Sequence, residues 1–517
     1  MARTTLQYRI KRQATIDADP VEVVFFESEV GLAWLHRIVI ALHLVFTQAG
    51  PCGIRLVSQF LELSRLDRFV AASYGTQQKI SRQMQRALFE YAGSERTRLA
   101  GEMPEREITL AQDETFHPEP CLVAIEPISD YIVLEKYAAD RKAETWNEAV
   151  KGAVDGLKVK VIQTTSDEAQ GLLAHAREGL GAHHSPDLFH PQRDLSKASS
   201  LALERKVAEA GRVMEEAGKQ KLEAEEERRE YLSGPPRGGF PPNFTRRIAE
   251  AEEAQNEARK QVQAAEERRD RMKAAIKGLG VDYHPYDLTD ARTVSAEEAE
   301  RRLKARFAEI DRVAEEANLS EGSRQRIEKA RRLLASFVAT IAFFHLRERK
   351  WVGELALSPE VEEVVRGQLI PALYLQRAAK KLRTTEERAK VAAVYQPILA
   401  RVRDPVGVLS RLTAEERGKV ERVAQDCADL FQRSSSCVEG RNGQLSLRHH
   451  SLRRLTAGKL AALTVIHNYY ATRSDGTTAA ERFFGAKPKD LFGWLLDRLE
   501  APARPAAKRS DRGRKAA

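Results

Sequence analysis

The chain has 517 residues, 31% of them charged, 42% hydrophobic and 7% aromatic, a balance that suits roughly two to four helix-rich domains with much surface. Lys and Arg number 84 against 75 Asp and Glu, and the net charge of +9 points towards a polyanionic partner. Cys52, Cys121, Cys427 and Cys437 form no CxxC pair, which argues against a zinc ribbon or a disulfide framework. The most apolar stretch, 38–46, falls short of the roughly 18 residues of a membrane span. The first thirteen residues lack the apolar run of a secretory signal, so a cytoplasmic protein without a membrane segment is expected.

Apolar periodicity predicts helices over 29–47, 54–63 and 76–92, with a short helical turn around 67–72. The pair 54–63 and 76–92 has the outline of a helix-turn-helix. Its second helix carries Gln77, Gln78, Lys79, Arg82, Gln83 and Arg86, side chains able to reach base edges and phosphates. Two packed helices with no such role have the same pattern. Residues 1–100 are therefore read as a helical, DNA-binding region.

β-type runs begin after that. Residues 107–113, 121–125 and 131–136 are short, apolar and separated by turn residues. A helix over 143–157, a strand over 158–163, a helix over 168–180 and a short run at 187–190 follow, a mixed α/β order. Residues 196–430 are charged and helical. Two arms, 198–232 and 244–277, rich in Ala, Glu, Lys and Arg, flank the loop Ser233–Asn243 and predict an antiparallel hairpin with a solvated face. A second cluster over 294–402, with Leu333, Phe337, Ile341, Phe343, Phe344 and Trp351, predicts a helical core. Helices return over 412–500, and 501–517 has the composition of a disordered basic tail.

Two acids stand where chemistry would want them. Asp113 ends the first strand and Asp167 directly follows the fourth. If those strands are neighbours, the carboxylates converge; taken alone, Asp167 is equally a helix cap. The order β-β-β-α-β-α-β, with acids after strands one and four, resembles the ribonuclease-H-like fold of DDE transposases, integrases and related nucleases. Asp187-Leu-Phe-His190 resembles the Asp-x-x-His signature of several transposase groups. Ser436, Glu439 and Asn442 resemble the S-x-x-E-x-x-N pattern around the final Glu. The stretch 467–485, with Asp475-Gly-Thr-Thr-Ala-Ala-Glu-Arg482, resembles the DGxTPAER segment of bacterial insertion-sequence transposases, with Ala479 where Pro is common.

The resemblance covers roughly 105–195 and 430–492 and implies a catalytic core split by a helical insertion over 196–430. It implies metal ligands at Asp113, Asp167 and Glu439, with His190 and Asn442 as accessory groups and Asp426 or Asp429 as fallbacks for the third acid. It implies two Mg2+ ions, with Mn2+ as a substitute: one activates water and the other stabilises the leaving oxygen of a phosphodiester. Double-stranded DNA, as element ends and target, is the implied substrate. Two copies would act on paired ends in a bacterial cytoplasm, associated with the nucleoid when bound. Near the third acid, Arg441, Arg448, Arg453 and Arg454 form a basic stripe suited to a DNA strand.

Two other readings stay open: a nuclease of the same fold that cuts without joining, and an inactive DNA-binding or coiled-coil protein derived from such an element. No GxGxxG, Walker or G-x-S-x-G motif is present. His183, His184 and His190 have no Cys/His partners at zinc spacing.

Overall fold

The structure, a computed structural model, describes residues 16–235 and 238–505. The extreme N-terminus and residues 506–517 of the expected basic tail lie outside the described residues. The chain divides into two compact units, one formed by 1–182 with 435–517 and the other by 183–434.

The first unit opens with α1 (Pro20–Phe26), α2 (Glu29–Leu42, continued by a π-helical stretch His43–Ala49), α3 (Ile54–Leu63) and α4 (Tyr74–Glu102). Ser28 caps α2 by accepting from the Gly31 N–H at 3.0 Å. Gly31 is required there, because a Cβ would lie 2.0 Å from the Phe25 carbonyl oxygen. The helix expected over 76–92 runs instead from Tyr74 to Glu102, because Glu95, Leu99 and Ala100 are buried. The stretch Glu29–Ala49 is long and apolar enough to cross a membrane by length and composition, with a mean hydropathy of 1.7 over an 18-residue window. That corrects the expectation that no segment reaches this length. Its inward side chains Leu35, Val39, Ile40 and Leu44 lie in the core shared with the sheet, as in a core helix.

The sheet follows: β1 (Arg106–Phe116), β2 (Pro120–Glu126), β3 (Tyr131–Tyr137), α5 (Ala143–Val154), β4 (Val159–Ser166) and α6 (Gln170–Ala174, continued by a π turn). The five-strand order is β3-β2-β1-β4-β5, with β2 antiparallel to β1 and β3, and β4 parallel to β1. β5 is His183–Pro186, where 187–190 had been expected; residues from Phe189 are already helical. One face of the sheet, with Ile108, Leu110, Leu122 and Leu134, packs with Trp146 and Val150 of α5 and with Met84, Leu88 and Tyr91 of α4. The helices before β1 thus share a core with the strands. The other face, with Ala111, Cys121, Val123 and Ile132, is covered by α16 (Ser436–Leu452) and α17 (Ala457–Tyr469). Alternation along each strand sends successive side chains to these two layers. Helices α18 (Ala479–Phe484) and α19 (Leu491–Arg498) complete the unit.

The second unit is helical after β5. α7 (Phe189–Ser233) and α8 (Phe244–Asp282) form the hairpin. Its seam is heptad-spaced and small: Ala217 and Ala224 are buried on α7, and Ala258, Ala265 and Met272 on α8. Ion pairs Lys221–Glu252 at 3.2 Å and Lys273–Glu204 at 2.9 Å bracket a register that sets Ala217 level with Ala258. Helices α9 (Ala296–Glu316), α10 (Glu321–Arg331), α11 (Leu334–Gly353), α12 (Pro359–Val364), α13 (Ile370–Lys381), α14 (Thr385–Val402) and α15 (Ala414–Leu430) follow. Their core holds Tyr283, Tyr286, Phe337, Phe344, Tyr374 and Phe431 in mutual ring contact.

Candidate active site

The site begins with the pairing of β1 and β4. Ala111 is opposite Thr165, so Asp113 of β1 and Asp167, just past the end of the neighbouring parallel β4, each lie two residues beyond that pair. β4 stops at Ser166, whereas β1 continues beside β2 to Phe116, so the expectation that Asp113 ends the first strand is corrected: it lies within β1, on the flank that β4 leaves open. Ala111 faces the α16 layer, and Asp113 points the same way by alternation.

Asp113 accepts from the Asn442 amide through Oδ2 at 2.8 Å and from the Glu114 N–H through Oδ1 at 2.9 Å. Asn442 and half-buried Glu439 are three residues apart on α16 and share a face. Asp167 accepts from the Ala169 N–H at 3.1 Å, turning the chain three residues before α6 starts. Both carboxylates act on Glu114, which points to the opposite layer and accepts from Trp146 Nε1 at 3.2 Å. Burial pushes the Glu114 carboxyl above its ordinary value, and the charges of Asp167 and Asp113 push the same way, against the Trp146 bond.

What aims α16 is a buried ion pair. Arg441 donates through Nε and Nη2 to the two oxygens of Glu135 on β3, both at 2.7 Å, and Thr464 of α17 donates to Glu135 at 2.6 Å. Arg441 is 7% exposed and its charge is spent on this pair, so its expected role as a DNA contact is corrected: it cannot reach a phosphate. Behind the acids, His175 donates from Nδ1 to Asn147 at 2.6 Å and accepts from Gln112 at 3.1 Å. Burial drives that imidazole down to about 4 and keeps it neutral. Gly179 lets the π turn approach α5, since a Cβ there would lie 1.8 Å from Asn147 Oδ1.

A family described as a family of unknown function (DUF6399) matches residues 365–511. The matched stretch contains Glu439 and Asn442 and stops well short of Asp113 and Asp167. No curated protein matches the chain.

The donor set suits a hard divalent cation: carboxylate oxygens with an amide oxygen beside them. Asn442 Oδ1 and Thr165 Oγ1 are buried without a hydrogen-bond partner among the described residues, which a cation or its bound water would satisfy. The ligand atoms of Asp113, Asp167 and Glu439 are not all gathered within 4.8 Å of one another, as three mutually repelling carboxylates would not be without a counter-charge.

The remaining expected residues fall as follows. His190 lies in the second unit, in the first turn of α7, with Nε2 4.0 Å from Asp187 Oδ2 and Nδ1 3.1 Å from Arg193. Asp187 caps that turn by accepting from Phe189 N–H at 2.7 Å. Asp429, a fallback acid, is held by Arg377 at 2.7 Å. On α4, Lys79, Arg82 and Arg86 are exposed along one face, and Gln78 is half-buried. Gln77 is corrected: it is fully buried, donating to the Ala71 carbonyl at 2.7 Å and bonded to His43 at 2.9 Å, so it reads no base. Arg453 and Arg454 are exposed and Arg448 is half-buried. The segment 473–482 is a structural lock: Asp475 accepts from Thr477, Thr478 caps α18, and Arg482 donates to the Ser129 carbonyl at 2.9 Å.

Sequence reasoning missed Glu114, Glu135 and His175. Glu114 carried a signal, since it adjoins Asp113. Glu135 and His175 carried none, because their partners are remote along the chain.

Proposed function

We propose that this chain is a DDE-type transposase with a ribonuclease-H-like core, cutting DNA at element ends and joining them to a target. The observation that carries the reading is the placement of Asp113 in β1 and Asp167 just past the end of the neighbouring parallel β4, each two residues beyond the Ala111–Thr165 pair, with Asn442 of α16 bonded to Asp113. Asp113, Asp167 and Glu439 would hold two Mg2+ ions, or Mn2+, with the Asn442 amide oxygen as a neutral donor. A divalent ion held by these residues would supply an activated water and charge neutralisation at the leaving oxygen. The protein's own part is positional. Asn442 orients one oxygen of Asp113 and leaves the outward lone pairs to the substrate side. The Arg441–Glu135 pair keeps α16 from rotating Glu439 out of register. His175 stacks on Trp146 with ring centroids 5.8 Å apart, and the two bond Gln112 and Glu114 of β1 on the face away from α16. DNA is the substrate class favoured by the exposed cations of α4 and of the α16 end. Two element ends call for two copies of the chain.

The test incubates purified protein with duplexes from the DNA flanking its coding sequence, plus a supercoiled plasmid, in Mg2+ or Mn2+. Cleavage with joining of a pre-cut end supports the reading. Cleavage without joining replaces it with a nuclease, and absence of cleavage in either metal leaves a DNA-binding or scaffold protein.

A further inference from the structure

β1 and α16 run side by side beyond the acids. Asn442 meets Asp113, and seven residues later, about 10.5 Å along the helix, His449 meets His117, four residues or about 13 Å along the strand. The two imidazoles stack with centroids 5.1 Å apart and planes 30° apart. His117 lies on the same side of β1 as Asp113 by alternation. The β1–β2 hairpin overhangs here: β1 pairs with β4 only as far as Ala111 but with β2 as far as Phe116.

Charge on this ledge is one-sided. From Gly440 to Ser474 the chain holds no acidic residue, while Arg448, His449, His450, Arg453 and Arg454 cluster at the end of α16. Of the nearby carboxylates, Glu135 is neutralised by Arg441, leaving exposed Glu119 in the hairpin turn. Two polar atoms on one turn, Arg448 Nη1 and His449 Nδ1, are buried without a hydrogen-bond partner among the described residues. Such groups are rare unless a bound acceptor completes them.

We propose that His449, stacked on His117, with Arg448, Arg453 and Arg454, binds backbone phosphates of the DNA strand that leads away from Asp113. This inference rests on the reading of the acids as a DNA-cleaving site. Arg453 and Arg454 supply charge, and His449 supplies a directed N–H whose ring is held flat by His117. Phosphate contacts of this kind position a strand without reading its sequence.

The experiment is a fluorescence-anisotropy titration of a labelled duplex, in EDTA, over a range of KCl concentrations. Arg453→Ala and Arg454→Ala should each lower the slope of log K against log salt by about one, with the exposed Lys304→Ala of the second unit leaving it unchanged. His449→Ala should weaken binding about 3–10-fold, and His449→Asn, which keeps a donor near Nδ1, should restore most of it. Thermal melting confirms that each variant is folded. Wild-type binding with slopes unmoved by the arginine variants overturns the ledge and leaves the acids untouched. Lowered slopes in a protein that never cleaves uphold the ledge and overturn the catalytic reading. No wild-type binding to any duplex overturns both.

Discussion

In the unit formed by 1–182 and 435–517, the ion pair at the candidate site is dry: the Arg441 and Glu135 side chains are 7% and 0% exposed. In the 183–434 unit, the pair joining the two arms, Lys273–Glu204, is 54% and 47% exposed. The same residue chemistry has different consequences. Charges buried against one another have nowhere else to go, so they fix an orientation, here that of α16 over β1. Charges in water keep alternatives, so the arms are held in register by the heptad of alanines, and their ion pairs add solubility more than structure.

Substitutions can break this contrast at either end. The largest effect is on chemistry: Asp113→Asn or Asp167→Asn should lower metal-dependent cleavage by about 10²–10³-fold or more while leaving the melting temperature and duplex binding near wild type, as read on labelled DNA. Next is stability. Arg441→Met strands the Glu135 carboxylate and should cost about 3–5 kcal/mol in denaturant unfolding, and adding Glu135→Leu should recover a large part of it. A third effect depends on pH. His175 has a depressed value in the folded chain, about 4, so it favours folding fully above the ordinary imidazole value of 6.5. That contribution is lost as pH falls from 6.5 towards 4, because the unfolded chain takes up the proton first. In His175→Gln the fall in stability across that window should be shallower, measured by urea midpoints at each pH. The smallest effect belongs to the arms: Glu204→Ala should leave the urea midpoint near that of the wild type, because water screens its pair with Lys273, and a loss comparable to that of Arg441→Met would erase the contrast between the units.

Much of the fold was legible because periodicity is local. The strands from Arg106, Pro120 and Tyr131 and the second hairpin arm lie within a few residues of where alternation and helix-favouring composition place them, whereas the first arm starts nine residues before the expected 198. The boundary errors have tertiary causes. α4 passes residue 92 because Glu95 and Leu99 are buried, and β5 precedes Asp187 because that residue is spent capping α7. Among the candidate residues, types and spacing singled out Asp113, Asp167, Glu439 and Asn442, whereas Gln77 and Arg441 sat among apparent surface cations and amides. A Gln or Arg in a helix has the same spacing whether it meets water or a buried partner.

The amino-acid sequence by itself determined where most strands and helices form, that the long arms pair, and that Asp113 belongs to the first strand and Asp167 follows the fourth. All of these follow from interactions within a few residues or from a regular repeat. Only the tertiary structure decided that β4 lies beside β1, that Asn442 reaches Asp113 and that Arg441 closes on Glu135. The strand pairing at Ala111 and Thr165 joins residues 54 apart and the two side-chain contacts join residues more than 300 apart, and the burial that makes them strong exists only once the layers on both faces of the sheet have closed.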